Sequence, residues 1–253
     1  MRYTKIIFSP TGGTERVTDI LTTAMTECAD TVDLTRVGTN FSSYSFGPED
    51  VVVIAVPSFG GRVPGIAVQR LAQITAQEAK AVVVCVYGNR AYEDTLVELM
   101  DVVKAAGFQV IAAVAAVAEH SIMHQFATGR PDRTDEDNLR IFGAEIARKL
   151  SKPEAEDFEV PGNRPYKKAG SGGLVPKTES RCTACGLCVD SCPTGAISKA
   201  DPKATDSKKC ISCMRCVSIC PTQARSVSKA MVAVASLAIK KACSERKECE
   251  LYL

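Results

Sequence analysis

Apolar and polar residues alternate in blocks along the first 150 residues. Mostly apolar runs predict β-strands at residues 3–8, 31–34, 51–57, 81–87 and 110–118. The segments between and after them are predicted to form helices at 14–28, 64–75, 91–106 and 134–150. Runs that are apolar throughout are typical of strands buried on both faces. This order of elements predicts an α/β domain with a parallel sheet and helices on both faces.

The pattern changes after residue 150. Residues 151–177 contain four prolines and four glycines among scattered charges, which predicts a linker. Residues 178–228 carry two similar cysteine-rich runs and few large apolar residues, which indicates a second domain. Residues 229–253 begin with an apolar stretch at 230–242, which predicts a C-terminal helix and tail. We expect this helix to pack on one domain; binding to a membrane surface is the weaker alternative.

Composition narrows the class of protein. A formal charge of +2 gives no reason to expect nucleic acid as a partner, and no apolar run approaches the ~18 residues that span a bilayer. The first residues lack the pattern of a signal peptide, so a cytoplasmic location is expected, with no membrane partner. Of twelve cysteines, only Cys28 and Cys85 precede residue 150. Clustered cysteines in a cytosolic chain are more often metal ligands than disulfides.

The cysteine-rich runs form an internal repeat. CTACGLCVDSCP starts at Cys182 and CISCMRCVSICP starts at Cys210, and each has the spacing C-x₂-C-x₂-C-x₃-C-P. This is the iron–sulfur run of bacterial two-cluster ferredoxins. The alternative is zinc, but structural zinc sites use two ligand pairs separated by a longer loop. The spacing therefore favours two 4Fe–4S clusters.

The fourth cysteine of each run is expected to bind the cluster of the other run. We call Cys182, Cys185, Cys188 and Cys220 the first set, and Cys210, Cys213, Cys216 and Cys192 the second set. Ligation by four cysteines leaves no open iron position, so these clusters are expected to transfer electrons rather than bind substrate. Cys243 and Cys249 have no partner at such a spacing and are expected to be ordinary thiols.

Glycine-rich, polar or aromatic segments follow the predicted strands of the first domain. They are SPTGGT at 9–14, PSFGGRVP at 57–64, YGNRAY at 87–92 and EHS at 119–121. In a parallel α/β sheet, ligands bind outside the carboxyl ends of the strands, so these segments should form one site. The first resembles a phosphate loop, but the lysine of nucleotide-hydrolysing P-loops is absent. A capped turn without a ligand is the plainer alternative.

The segment SPTGGT is similar to the T/S-x-T-G-x-T phosphate loop of flavodoxins, which hold flavin mononucleotide (FMN). The resemblance covers about residues 1–150 and implies a flavodoxin-like five-stranded sheet of order 2-1-3-4-5. A stored phosphate needs backbone N–H groups, a helix N-terminus and hydroxyls, but no lysine. The implied FMN-binding residues are Ser9, Thr11, Gly12, Gly13, Thr14, Pro57, Ser58, Phe59, Gly60, Gly61, Tyr87, Gly88, Asn89, Arg90, Tyr92 and His120.

The residues that contact the flavin ring are less well determined by this resemblance. Tyr92 resembles the stacking tyrosine of the third loop, and Phe59 is the nearest substitute for the tryptophan that many flavodoxins have, because this chain has none. Tyr87 is expected at the strand end. His120 is expected near the ring or as a helix-capping residue, and Arg90 near the ring or in solvent.

The chain as a whole resembles the flavodoxin–ferredoxin fusion proteins of anaerobic microbes, the EFR1-type ferredoxin family. The resemblance implies an electron carrier that holds FMN and two 4Fe–4S clusters, with a C-terminal bacterial ferredoxin-like α+β domain. One-electron redox proteins are the expected partners. The alternative is an FMN-dependent reductase of a small-molecule acceptor, supplied with electrons by its own clusters. An oxygen-sensing regulator is a third hypothesis.

The iron–sulfur interpretation predicts the metal content. Protein purified without oxygen should contain about eight iron atoms per chain, because two four-iron clusters are implied. Cys188→Ser should damage one cluster and Cys192→Ser the other. Iron and acid-labile sulfide analysis checks this, and bound zinc without sulfide would contradict it.

Overall fold

The computed structural model describes residues 1–151, 158–170 and 173–253, so the predicted linker lies partly outside the described residues. The first domain contains β1 (Arg2–Ile7), α1 (Gly13–Thr23), β2 (Asp30–Asp33), a 3₁₀ turn (Phe41–Ser43), β3 (Ser45–Phe46), β4 (Asp50–Pro57), α2 (Gly65–Leu71), β5 (Thr75–Ala76), β6 (Lys80–Tyr87), α3 (Thr95–Ala105), β7 (Gln109–Val117) and α4 (Arg133–Leu150). The remainder contains β8 (Lys177–Thr178), α5 (Leu187–Asp190), α6 (Arg215–Ser218), β9 (Arg225–Ser226), α7 (Lys229–Ile239), a 3₁₀ turn (Lys241–Cys243) and β10 (Glu250–Tyr252).

The main sheet has six strands in the order β10-β7-β6-β4-β1-β2. The five that belong to the first domain are parallel and follow the order 2-1-3-4-5. β4 shows why its run is apolar throughout: Val52, Ile54 and Val56 pack into the core on one face, while Val51 and Val53 pack into the core on the other. The predicted flavodoxin-like α/β fold is confirmed.

Three helices of the first domain are shorter than the sequence indicated, and one of them, α2, ends at Leu71 rather than at residue 75. α1 ends at Thr23 rather than at residue 28, because its last residues include threonines, which have a lower helix propensity. The Met25 N–H donates to the Thr22 carbonyl oxygen in the turn that follows. α3 begins at Thr95 rather than at residue 91, because Asn89 and Glu93 have positive φ angles of 64° and 45° that no α-helix contains.

The second half of the predicted linker lies against α3. The Asp94 carboxylate accepts hydrogen bonds from the backbone N–H groups of Asn163 and Lys167, at 2.8 and 2.7 Å. Arg164 pairs with Asp101 at 2.6 Å. These bonds use the side chains of α3 and its preceding turn. Residues 158–170 are therefore attached to the first domain rather than free of it.

The C-terminal tail returns to the first domain and adds a strand to its sheet. β10 pairs antiparallel with β7, with Leu251 opposite Val114. Asn89 holds the approach to this strand: its side-chain amide donates to the carbonyl oxygens of Cys243 and Glu245, at 3.0 and 2.8 Å. The Lys247 N–H donates to the Asn89 side-chain oxygen at 3.1 Å. The sequence predicted a tail but not this strand.

α7 connects the cysteine-rich domain to that tail. Its Ser236 accepts a hydrogen bond from Gln125 of the first domain at 2.8 Å, while Val234 and Leu237 are about 70% exposed. Among the helices of the described residues, none has both the length and the apolar character needed to cross a bilayer.

The cysteine-rich domain repeats its backbone as well as its sequence. Ala184 and Gly186 have positive φ in the first run, and Ser212 and Met214 have positive φ at the equivalent places in the second. The residue three positions after the fourth cysteine also has positive φ in both runs: Gly195 at 63° and Gln223 at 52°.

The tail anchor predicts a local effect of Asn89→Gly, which keeps the positive φ but removes the side-chain hydrogen bonds. Each of the three bonds is worth about 1 kcal/mol, so the opening free energy of β10 should fall by about 3 kcal/mol, which corresponds to roughly 150-fold faster amide exchange at Leu251. Hydrogen exchange with mass spectrometry measures this. The amides of β1 serve as an internal control, and unchanged exchange at β10 would contradict the anchor.

The repeated turn predicts opposite effects for two substitutions. Gln223 is exposed in a left-handed conformation that costs a non-glycine residue about 1 kcal/mol, so Gln223→Gly should raise the thermal midpoint. Gly195→Gln should lower it, through backbone strain alone, because a Cβ there meets no atom within 4 Å. Anaerobic melting followed by cluster absorbance distinguishes the two variants. Equal shifts in one direction would show that backbone conformation is not the cause.

Candidate cofactor sites

The four segments predicted to form a site begin at one edge of the sheet. The Ser58 N–H donates to Val86 at 2.8 Å, and the Ala118 N–H donates to Tyr87 at 3.1 Å, so neighbouring strands end together. A Cβ built on Gly13 would lie 3.5 Å from the Ala118 Cβ. The segments after β1 and β7 are therefore adjacent at the carboxyl ends of the strands.

The segment after β1 leaves several N–H groups at a helix N-terminus without a partner. Gly12 adopts a φ of 90° immediately before α1 and has no side chain that could cap the helix. Within the described residues, the backbone N–H groups of Thr11, Gly12, Gly13 and Thr14 make no hydrogen bond. A Cβ on Gly12 would meet nothing within 4 Å, so the space beside it is open. Free N–H groups at a helix N-terminus fit a phosphate.

The hydroxyls of this loop differ in their surroundings. Ser9 is buried: its hydroxyl oxygen accepts from the Glu15 N–H at 3.0 Å, and its own N–H donates to the Thr35 hydroxyl at 3.2 Å. Thr14 is buried in the first turn of α1, and Thr11 is exposed. The Ser9 hydroxyl retains its proton for donation, so it can still bind an anion.

The segment after β4 is a tight two-residue turn. Phe59 and Arg62 exchange backbone hydrogen bonds at 3.0 and 3.3 Å, and Gly60 and Gly61 both have positive φ. Two consecutive positive φ angles are typical of a type I′ turn, which glycine favours. Phe59 is half-buried against the core, and Arg62 forms two 2.7 Å bonds with Glu98. The Pro57–Ser58 end is held by a 2.7 Å hydrogen bond between the hydroxyls of Ser58 and Thr95.

The segment after β6 packs against the added strand β10. Tyr87 is buried, with its ring centroid 5.2 Å from that of Tyr92 in an edge-on arrangement. The Tyr92 hydroxyl donates to Glu250 at 2.6 Å and lies 3.0 Å from the Tyr252 hydroxyl. Burial and the bond to Glu250 raise the pKa of Tyr92.

Three side chains predicted to contact flavin therefore have other partners. Tyr92 bonds to β10, Asn89 bonds to the tail, and Arg90 pairs with Glu93 at 2.9 Å. Their contact with a flavin ring stays a prediction. The partners of Tyr92 and Asn89 could not be predicted from the sequence, because they lie in the tail more than 150 residues away along the chain.

His120 lies directly over Gly88. A Cβ on Gly88 would come within 2.8 Å of the His120 side chain, so only glycine fits there. The His120 Nδ1 accepts from the backbone N–H groups of Ile122 and Met123, at 3.2 and 3.3 Å. Burial lowers the pKa of His120. The neutral ring therefore carries its proton on Nε2, and this group can donate a hydrogen bond.

The cysteines converge on two separate cavities. One is lined by Cys182, Cys185, Cys188 and Cys220, and the other by Cys192, Cys210, Cys213 and Cys216. These are the first and second sets as expected from the spacing, with the fourth cysteine of each run facing the other run's cavity. Within the described ranges, no three His, Cys, Asp or Glu side chains converge tightly enough to share one ion. A 4Fe–4S cluster does not need such convergence, because each of its four cysteines binds a different iron atom.

Backbone N–H groups point at the sulfur atoms. The Ala196 and Ala224 N–H groups donate to the Sγ atoms of Cys192 and Cys220, at 3.3 and 3.2 Å, in equivalent turns of the two runs. The Ala184 N–H donates to Cys182 at 3.4 Å. Such bonds stabilise thiolate charge and so favour ligation. Burial raises the pKa of Cys213 to about 12, so this thiol keeps its proton until a metal ion displaces it.

The cysteine-rich domain contacts the first domain through residues that the sequence did not single out. Arg70 is buried and donates to the carbonyl oxygens of Leu34 and Pro193, the latter at 2.8 Å. Arg215 donates to the Pro10 carbonyl of the phosphate-like loop at 3.3 Å. One sequence signal existed for Arg215: it is a basic residue inside the second cysteine run, where the first run has Leu187.

Comparison with known proteins gives a match for each half. Residues 181–224 match the model of the 4Fe-4S dicluster domain family. No curated protein sequence matches the chain. Among solved structures, a flavodoxin of Streptococcus pneumonia TIGR4 is similar, at 21% identity over 58% of this chain and 99% of that chain, with a TM-score of 0.43.

Two further solved structures are similar to the same half. A Fusobacterium nucleatum flavodoxin bound to flavin mononucleotide is 13% identical over 59% of this chain and 97% of that one, with a TM-score of 0.40. Rubredoxin oxygen:oxidoreductase of Desulfovibrio gigas is 14% identical over 60% of this chain and 37% of that one, with a TM-score of 0.43. Taken with the strand order 2-1-3-4-5, the family match shows that the chain combines a flavodoxin-like domain with a 4Fe–4S dicluster domain.

Proposed function

We propose that this protein is an electron carrier that relays electrons between FMN and two 4Fe–4S clusters. The observation that carries the proposal is that eight cysteines line two four-cysteine cavities in a domain that is hydrogen-bonded to the edge of a flavodoxin-like sheet. An electron-transfer role follows from the two kinds of domain. The relay within one chain is the more specific part that needs a test.

The loop after β1 supports FMN as the flavin. Its N–H groups at Thr11–Thr14 are free within the described residues, and α1 directs its positive dipole end at the same place. A terminal phosphate would satisfy these groups together with the hydroxyls of Ser9, Thr11 and Thr14. No phosphoryl group is transferred in electron carriage, which explains why the loop has no lysine.

The remaining flavin contacts are proposed from the segments at the same edge. Phe59 offers a half-buried ring and Gly60 leaves open space beside it, whereas the side chains of Glu93 and His120 lie against Gly61 and Gly88. His120 offers its Nε2 proton next to Gly88. When bound, FMN supplies one- or two-electron redox chemistry, and these residues would orient it and limit its exposure to water.

The cysteine sets support electron transfer rather than substrate binding. The chain offers four sulfur ligands to each cluster, so no iron position is left for a substrate. The N–H groups of Ala184, Ala196 and Ala224 would stabilise negative charge on the cluster sulfurs, which tunes the potential. One-electron redox proteins are the partners that this chemistry implies. Cysteine ligands in this number also favour a reducing compartment, and we place the protein in the cytoplasm.

A second candidate function is an FMN-dependent reductase that is supplied with electrons by its own clusters. His120 is the observation that favours it, because a neutral imidazole with a free Nε2 proton at the proposed flavin edge is a suitable proton donor. His120→Gln would then abolish reduction of a small acceptor, whereas relay to a protein acceptor would be unaffected.

The relay predicts intramolecular kinetics. When the full chain with FMN and clusters is mixed anaerobically with a one-electron donor, a phase of flavin bleaching should have a rate constant that is independent of protein concentration. The phase should disappear when the same chain carries FMN without iron. Stopped-flow absorbance measures both. Equally fast bleaching in the iron-free protein would show that the clusters do not supply the flavin.

A further inference from the structure

The contacts between the cysteine-rich domain and the first domain belong to one of the two cysteine sets. Pro193 follows Cys192 and accepts from Arg70 at 2.8 Å. Ile211 follows Cys210 and packs against the core of the first domain. Arg215 lies between Cys213 and Cys216 and donates to the Pro10 carbonyl at 3.3 Å. All three residues line the second cavity.

The first set faces away from this contact. Cys185 is exposed, and Leu187 beside it is 44% exposed. In the described part of the chain, no hydrogen bond or ion pair joins residues 179–191 to residues 1–151. The bonds of this segment, such as the Arg181–Glu179 ion pair at 2.9 Å, stay within the cysteine-rich domain.

The two runs have matching backbone turns, so side chains decide which run has its first three cysteines next to the first domain. Ile211 occupies the position that Thr183 has in the first run, and Arg215 the position of Leu187. An apolar residue that packs against the core of the first domain and a guanidinium that reaches the loop are present at these positions only in the second run. Exchange of the two runs would therefore lose the contact.

Arg215 also brings a positive charge to a loop that has none. Residues 8–14 contain no lysine or arginine, and Arg16 pairs instead with Glu136 at 3.1 Å. Arg215 donates from one terminal nitrogen to Pro10, while its buried Nε has no partner among the described residues. The guanidinium thus lies between the second cavity and the loop proposed for the FMN phosphate.

We propose that the second set, Cys192, Cys210, Cys213 and Cys216, holds the cluster that exchanges electrons with the flavin, and that the first set holds the cluster that exchanges electrons with a protein partner. This rests on the proposed function. Each electron enters from a one-electron donor protein, passes from the first set to the second, and reaches the flavin. Two such transfers, with protons from solvent, complete the reduction of one flavin.

The test compares hydrogen exchange in the full chain, loaded with clusters, with and without FMN. FMN should slow exchange at 192–195 and 209–217 and leave 182–189 unchanged. Riboflavin, which lacks the phosphate, should protect 209–217 less. Protection at 182–189, or at neither segment while absorbance shows bound FMN, would overturn the assignment of the second set. Failure of FMN to bind at all would instead refute the proposed function on which it rests.

A matched pair of substitutions exchanges the equivalent residues of the two runs. Arg215→Leu should weaken FMN binding about tenfold, with riboflavin affinity unchanged, because only FMN carries the anion. It should also slow the intramolecular flavin phase. Leu187→Arg, in the first run, should leave FMN affinity unchanged, because residues 179–191 make no hydrogen bond or ion pair to residues 1–151 within the described part of the chain. Equal losses for FMN and riboflavin in Arg215→Leu would show that Arg215 is only structural, and a loss of FMN affinity in Leu187→Arg would place the first set beside the flavin.

Discussion

The convergence of two cysteine runs on two shared cavities is the constraint on which the rest of this structure depends. The cysteine-rich domain has almost no apolar core: its buried apolar residues are Ala196, Ile197, Met214 and Ala224. Such a segment cannot offset its conformational entropy by burial alone. Cluster binding supplies the missing free energy, and it does so only if each run contributes a cysteine to the other's cavity.

That constraint has a consequence for the interface between domains. Because the fourth cysteine of each run lines the other run's cavity, the two runs form one unit, and that unit meets the first domain with only one of its cavities. Ile211 and Arg215 make that choice, since their counterparts Thr183 and Leu187 can neither fill the same apolar contact nor donate to Pro10. A pseudo-symmetric domain thus becomes asymmetric in its contacts through two side chains.

The segments before and after the cysteine-rich unit both bind to the first domain. Before it, residues 158–170 bond to Asp94 and Asp101 on α3. After it, the tail bonds to Asn89 and adds β10 to the sheet. These attachments hold the chain against the first domain on both sides of the cysteine-rich unit. They also occupy Tyr92 and Asn89, two residues that the resemblance assigned to the flavin.

The sequence by itself determined the α/β fold and the two cysteine runs, because both are encoded locally. Continuous apolar runs such as 51–57 are typical of strands buried on both faces, and C-x₂-C-x₂-C-x₃-C-P brings its ligands together within a few residues. Only the tertiary structure decided the partners of Tyr92 and Asn89, the sixth strand and the side on which Arg215 meets Pro10. Those contacts join residues 135 to 205 positions apart, and no local pattern records which distant segments will meet.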